Sequence, residues 1–206
     1  MASTFAFFAD IIEADLLDGL SNDSRKLAAV RAINSAARDG RAQAARLIRA
    51  DVNFPAKYVG PGDRRLYVSK QATRGSLEAK ITARGRATSL ARFVQGNPTP
   101  NAAGVYVEVT PNKVQFLKRA FVIKLPQGQG SETDTARNLG LAVRLKPGQV
   151  LRNKFTARRV ASGLYVLYGP SVSQVFRAND DSGVANEMAP GVADQLVAEF
   201  LRLLKV

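Results

Sequence analysis

The sequence of 206 residues contains no cysteine, no histidine and no tryptophan. Without cysteine there is neither a disulfide framework nor a thiol nucleophile. Without histidine there is no Ser-His-Asp or Cys-His catalysis, and the loss of both residue types excludes nearly every kind of zinc site. Aromatic residues make up only 7% of the chain, which argues against an extended platform for stacking bases. Any catalysis would therefore depend on carboxylates, lysines or hydroxyl groups.

Long hydrophobic runs are also missing. The first twenty residues are rich in apolar side chains, but four acidic residues interrupt them and no lysine or arginine precedes them. A signal peptide has a basic start and an unbroken apolar stretch, and a membrane-spanning helix needs about 20 apolar residues. Glycine-rich phosphate-binding motifs are absent as well. We therefore expect a protein made in the cytoplasm, with no membrane segment and no cofactor.

The charge is strongly basic and unevenly distributed. The chain has 30 lysines and arginines against 17 acidic residues, a net charge of +13. Residues 1–24 contain five acidic residues and no basic one, whereas residues 25–176 have a net charge of +20. A basic body attracts polyanions, most often nucleic acid. The alternatives are a surface that matches an acidic protein neighbour, or one that only keeps the protein soluble.

Apolar periodicity predicts the fold class. A helical period over residues 4–20 and again over 25–50 is followed by several segments with period two, and then by a helix near the C-terminus. Because strands and helices do not alternate, we expect an α+β fold. Its largely antiparallel sheet would pack with the long helix of the N-terminal half and with the C-terminal helix. We expect residues 1–24 to form an acidic amphipathic arm and residues 25–206 a single domain.

Two groups of basic residues are candidates for contact with DNA or with another subunit. In the helix predicted over residues 25–50, three arginines fall within about 20° of one another, beside the apolar stripe. A second cluster lies in a polar stretch near residue 155. The alternative for both groups is a solvated charged face. The residues are Arg31, Arg38 and Arg49 in the helix, and Arg152, Lys154, Arg158 and Arg159 in the cluster.

The predicted arm has more apolar side chains at its start than a short helix needs. Phe5, Phe7, Phe8 and Ile12 are therefore candidates for contact with a neighbouring subunit. The alternative is that the helix lies on the core of its own chain.

Two motifs resemble catalytic sites. Gly169-Pro170-Ser171 is similar to a nucleophile elbow, but no histidine exists to activate the serine, so we predict a structural turn in which Ser171 caps the next helix. Asp63, Glu78 and Lys80 match the residue types of a magnesium-dependent nuclease. The alternative is that Glu78 and Lys80 are solvent-facing neighbours on one strand.

Six segments of the sequence match those of a known family: Ser76–Arg84, Thr88–Phe93, Leu117–Ile123, Gly140–Arg144, Leu167–Val172 and Glu199–Leu204. Together they resemble the minor tail protein Z family of tailed bacteriophages and prophages. The resemblance implies a virion protein at the neck or head-proximal end of the tail, present in the host cytoplasm during assembly. It implies a homo-oligomeric ring, with six-fold symmetry favoured, that completes the tail and contacts head-connector and tail-tube or tail-terminator proteins. Packaged DNA would pass through the lumen, and no enzyme activity is implied.

Two alternatives to this function remain open. One is a stand-alone protein that binds nucleic acid without sequence preference, and the other is the magnesium-dependent nuclease.

Overall fold

The computed structural model describes residues 3–8, 22–96, 103–125, 139–150, 156–177 and 183–204. The predicted α+β class is confirmed, with a long helix in the N-terminal half, a C-terminal helix and antiparallel strand pairs. The described strands fall into three sheets, where the sequence predicts one. The helices are α1 (Asn22–Asp51), α2 (Val172–Phe176) and α3 (Val184–Leu204). The strands are β1 (Ser3–Phe8), β2 (Leu66–Lys70), β3 (Glu78–Ala83), β4 (Thr88–Ser89), β5 (Gly104–Thr110), β6 (Lys113–Lys118), β7 (Ala120–Lys124), β8 (Leu139–Arg144), β9 (Thr156–Ala161) and β10 (Leu164–Gly169).

Contacts between residues divide the chain into two compact units. The expected division into an arm over residues 1–24 and a single domain over residues 25–206 stays a prediction. The chain passes between the units in short segments, without a low-complexity linker that composition could reveal. Unit 1 comprises the described parts of Met1–Ile48, Ala56–Gly85 and Val172–Val206, and unit 2 those of Arg49–Pro55 and Arg86–Ser171.

Helix α1 buries a face made largely of alanine. Its apolar positions recur every three or four residues, as the sequence predicts, and they are almost inaccessible to solvent. Small side chains allow other elements to approach the helix axis closely. Asp23 in the first turn and Arg49 in the last complement the helix dipole. The buried residues are Ala28, Ala29, Ala32, Ile33, Ala36, Ala37, Ala44 and Ile48.

The sheet of unit 1 has the strand order β1-β3-β2, with antiparallel pairing throughout. Strand β3 alternates as predicted, because Ala79, Ile81 and Ala83 are fully buried while their neighbours are partly exposed. Asn34 of α1 fixes the position of the segment that follows β2 through two hydrogen bonds. Its side-chain nitrogen donates to the Ala72 carbonyl at 3.0 Å, and its oxygen accepts from the Ala72 amide at 2.8 Å.

The helix predicted over residues 4–20 is wrong where the chain is described. Residues 3–8 form strand β1, which pairs along its whole length with β3, so that Phe5, Phe7 and Phe8 stand opposite Ile81, Ala79 and Glu78. Phenylalanine and threonine favour strands, and this edge of β3 would otherwise leave its backbone groups unpaired. Ile12, with the rest of the predicted helix, lies outside the described residues.

An arginine of α1 joins that helix to the sheet of unit 1. Arg41 Nε donates to the Leu66 carbonyl at 3.1 Å, and its Nη2 donates to the carbonyls of Val59, at 2.6 Å, and Gly60. Burial lowers the pKa of Arg41, and the negative charge of Asp63 partly offsets this. The guanidinium thus holds β2 and the short 3₁₀ helix Ala56–Val59 against α1.

Strand β10 is the centre of the five-stranded sheet of unit 2. It pairs with β9 along one edge, and with β8 and then β4 along the other. Strand β7 adds to β8. Leu125, Ala142 and Val166 form a buried cluster in this sheet. A second core group includes Phe54 and Phe93, whose ring centroids are 5.6 Å apart.

Helix α3 contains a proline in its interior. Proline is most common at the first position of a helix, but α3 starts at Val184 and continues through Pro190. The buried stripe already begins at Val184, Ala185 and Met188, so packing outweighs the hydrogen bond that proline cannot donate.

Arg41→Met is expected to destabilise the protein by about 1–3 kcal/mol, because three carbonyl oxygens lose a charged donor. Methionine keeps most of the aliphatic volume of the side chain. Urea unfolding of the full chain measures the change. Arg38→Met is the control, since Arg38 is exposed and has no hydrogen bond among the described residues. Equal stability of the two variants would show that the Arg41 contacts do not hold unit 1 together.

Candidate interaction surfaces

The arginine row predicted on α1 is exposed. Arg31 and Arg38 make no hydrogen bond or ion pair within the described part of the chain, and Arg46 on the same helix is likewise exposed. Arg49 is exposed too, but its Nε lies 3.4 Å from the Phe54 carbonyl oxygen. Two arginines of the row are therefore available to a partner, and their contact with DNA or a subunit stays a prediction.

The second predicted basic cluster is only partly described. Arg152 and Lys154 lie outside the described residues. Arg158 and Arg159 are exposed on β9, opposite Val166 and Tyr165 of β10. Successive residues of a strand point to opposite faces of the sheet, so these two arginines do not form one patch.

The residues of the predicted nuclease site are occupied by ion pairs. Both oxygens of Glu78 are taken: Oε2 by Lys70 of β2 and Oε1 by Lys80 Nζ at 2.9 Å. Hydrogen bonds from Lys70 and Lys80 lower the pKa of Glu78. The side chain of Glu78 is only 16% exposed. Glu78 is therefore not the solvent-facing residue that the alternative interpretation expects. These residues form an ion-pair network that joins β2 to β3.

Asp63, the other predicted carboxylate, is bound by Arg65. It accepts from the Arg65 backbone amide at 2.8 Å and from its Nη1 at 2.5 Å. The Arg65 guanidinium also lies over the Tyr58 ring, 4.0 Å from the centroid. Within the described ranges, no group of three or more acidic residues is placed to hold a metal ion.

The Gly169-Pro170-Ser171 turn is structural. A nucleophile elbow exposes its serine, whereas Ser171 is 1% exposed. The turn ends β10, and α2 begins at the next residue, Val172. A Cβ atom at Gly169 would lie 3.0 Å from Leu90 Cδ2, so any larger residue there would have to displace Leu90 by a few tenths of an ångström. Capping of α2 by Ser171 stays a prediction.

The β5–β6 hairpin carries an apolar surface that the sequence does not reveal. Val105 and Val107 of β5 are buried on one face. On the other, Tyr106 is 56% exposed and stands opposite Phe116, 46% exposed, with ring centroids 4.8 Å apart. Exposed Val114 continues this face. Tyr106, Val114 and Phe116 are called the aromatic face below. Strand β6 pairs only with β5 among the described strands.

A cavity of about 410 Å³ adjoins the aromatic face and shares Phe116 with it. Val143, Leu167 and Val150, which is 79% exposed, add apolar lining. Among the described residues, the charged ones in the lining are Lys118, Arg119 and Arg144, and none is acidic. We call this cavity the hairpin groove. It combines an apolar lining with positive charge.

One sequence signal could have revealed this surface. Residues 115–125 read as a single apolar run, but Arg119 has a positive φ of 62° and divides the run into β6 and β7. The turn residues Pro111 and Asn112, between Tyr106 and Phe116, are typical of a hairpin. The alternation on either side of that turn places both aromatic rings on one face.

Comparison with known proteins gives no relative. No family model, no curated protein and no solved structure matches the chain. Among the described helices, none has the length and apolar character needed to cross a bilayer.

Incubation with plasmid DNA and Mg²⁺ or Mn²⁺ is expected to leave the DNA intact, because Glu78 and Asp63 are both neutralised by cations of the chain. Gel electrophoresis of the plasmid measures cleavage. Cleavage that Glu78→Ala abolishes would contradict the structural role assigned to the network.

Glu78→Gln is expected to reduce stability at neutral pH and to remove part of its pH dependence. The folded-state pKa of Glu78 is below the ordinary value of 4.5. The stabilisation that the ionised Glu78 gives the folded state is therefore fully present above about pH 4.5, and it is lost as the pH falls through the lowered folded-state pKa. Urea midpoints of wild type and variant should converge at acid pH. Asp194→Asn, at an exposed position of α3, is the control. A difference that persists unchanged below the lowered pKa would contradict the assignment.

Proposed function

We propose that this protein is a structural component that assembles with copies of itself around a passage for DNA. The proposed role is that of a neck or tail-completion protein in the virion of a tailed phage. The observation that carries the proposal is the aromatic face, where two partly exposed rings and a valine lie on a hairpin of only two described strands.

Large exposed apolar residues grouped on one face are typical of protein–protein interfaces. A two-stranded hairpin is only marginally stable by itself, and an unpaired strand edge is a template for another chain. The aromatic face and the edge of β6 that no described strand pairs lie on the same hairpin. Contact with a further protein chain would cover the rings and satisfy the backbone groups of that edge together.

The second part of the proposal concerns DNA. Arg31 and Arg38 are exposed without an acidic partner in the described residues, on a chain with a net charge of +13. Contact with phosphates would neutralise such charges without reading the base sequence. A wall that tolerates passing DNA needs this kind of contact and no groove-reading element.

The resemblance to the minor tail protein Z family supports the particular role. It favours a six-fold ring between head-connector proteins and tail-tube or tail-terminator proteins. The ion pairs of Glu78 and Asp63 support a role without catalysis at those residues, because neither carboxylate is left to bind a metal ion or to act as a base.

A second candidate function is a stand-alone nucleic-acid-binding protein. The exposed arginines of α1 favour it as much as they favour the lumen of a ring. The aromatic face favours assembly, because binding to phosphates does not require exposed rings next to such a strand edge. The mass of the protein in solution distinguishes the two functions, because a stand-alone binder is expected to be monomeric or dimeric without DNA.

Arg31→Gln/Arg38→Gln is expected to weaken DNA binding and leave the mass of the assembly unchanged. Sedimentation measures the mass, and fluorescence anisotropy with duplexes of two unrelated sequences measures binding against salt. The log–log salt slope should become shallower by about 0.9 for each arginine that contacts a phosphate. Ala42→Gln is the control, because Ala42 is exposed one helical turn after Arg38 and the change leaves the charge unaltered.

Other results would overturn parts of the proposal. A wild-type chain that stays monomeric at high concentration contradicts assembly. A smaller mass for the double variant with an unchanged salt slope places the arginines at a subunit interface instead of the DNA passage. Binding without salt dependence contradicts the electrostatic contact with DNA altogether.

A further inference from the structure

We infer that the hairpin groove binds residues 10–18 of a second copy of this chain. This inference rests on the proposed function, since it names the contact through which copies assemble. The observations that carry it are the lining of the groove, its charge, and the composition of the one strongly acidic and aliphatic segment in the sequence.

The groove selects a ligand that is apolar and negatively charged. Phe116, Val143 and Val150 offer apolar contact, and burying that surface against another apolar group stabilises a complex by about 25 cal/mol per Å². Arg119 and Arg144 stand beside this lining and make no ion pair within the described part of the chain. A nucleic acid backbone would match the charge but would leave the apolar lining uncovered.

Residues 10–18 have the complementary composition. The segment reads Asp-Ile-Ile-Glu-Ala-Asp-Leu-Leu-Asp, with four acidic and four large aliphatic residues, and no basic residue lies anywhere in residues 1–24. Three acidic residues of the described part of the chain, Glu78, Asp63 and Glu199, already pair with cations of their own unit. No other stretch of the sequence combines so many acidic and aliphatic residues.

Electrostatics favours a second copy as the source of the segment. Subunits with a net charge of +13 repel one another, and assembly needs negative charge at their contacts. The segment supplies it from within the chain. Strand β1 fixes its beginning and α1 its end, and the 13 residues between Phe8 and Asn22 are long enough to extend roughly 20 Å from these anchors.

Cysteine cross-linking tests the contact directly, because the natural chain has no cysteine to interfere. Ile12→Cys and Val150→Cys are prepared as separate full-length chains, one of them enlarged by a tag, then mixed and oxidised gently. A disulfide forms only where the Cα atoms approach within about 7 Å. We expect a covalent heterodimer of the two chains as the main product. Val150→Cys is replaced in the control by Ala42→Cys, at an exposed position of α1, and this pair should give little cross-linked product.

Charge reversal provides an independent measurement. Lys118→Glu/Arg144→Glu should weaken self-association by about tenfold or more, because two attractive contacts become repulsive. Arg46→Glu, which changes an exposed cation of α1, should have a much smaller effect. Mixing the groove variant with Glu13→Lys/Asp15→Lys should restore association between the two chains, while the latter variant alone associates weakly.

Each outcome separates this inference from the proposed function. If the wild type assembles but the groove variant assembles equally well, the inference is wrong and the proposed function stands. If a chain that carries both Ile12→Cys and Val150→Cys closes a disulfide within the monomer, the groove holds the segment of its own chain. The assignment of that segment to a second copy is then wrong. If the wild type does not assemble, the proposed function itself is contradicted.

Discussion

The shortage of acidic residues is the constraint on which the rest of the structure depends. With 30 basic and 17 acidic residues, one-to-one pairing leaves at least 13 cations without an acidic partner in the chain. The buried or partly buried arginines of unit 1 use further partners: Arg41 binds carbonyl oxygens, and Arg65 lies over the ring of Tyr58. The few described carboxylates in ion pairs are taken by lysines and arginines of their own unit. Arg31, Arg38, Arg119 and Arg144 are exposed, make no ion pair within the described residues, and are left for a partner.

The same constraint connects the surfaces of unit 2 to assembly. In the part of the chain that the structure describes, the hairpin groove is lined by three cations and no acidic residue, next to partly exposed aromatic rings. Positive charge alone would suit DNA, and apolar surface alone would suit any protein. Their combination favours a segment that is both acidic and aliphatic, and the chain contains one such segment. Assembly would then bring negative charge to the place where subunits would otherwise repel.

Local periodicity was enough to predict α1 and β3, because each buries one regular face. It failed for residues 3–8, where phenylalanines fit both a helical and an alternating pattern and where pairing with β3, distant in sequence, decides. It also failed for the run at 115–125, which the left-handed backbone of Arg119 divides. The ion pair that occupies Glu78 of the predicted nuclease site depends on strand register, because Lys70 of β2 reaches Glu78 only after β2 and β3 have paired. No pattern in the sequence reveals such a contact.

Hydrogen exchange of the full chain, measured at low and at high protein concentration, tests the central claim most directly. The claim is that copies meet at the β5–β6 hairpin. Amides of residues 113–118 are therefore expected to exchange more slowly at high concentration, as the aromatic face and the edge of β6 become covered. Amides of α1 near Arg31 and Arg38 should not change. Unchanged exchange over residues 113–118 in a sample whose mass shows assembly would contradict the account.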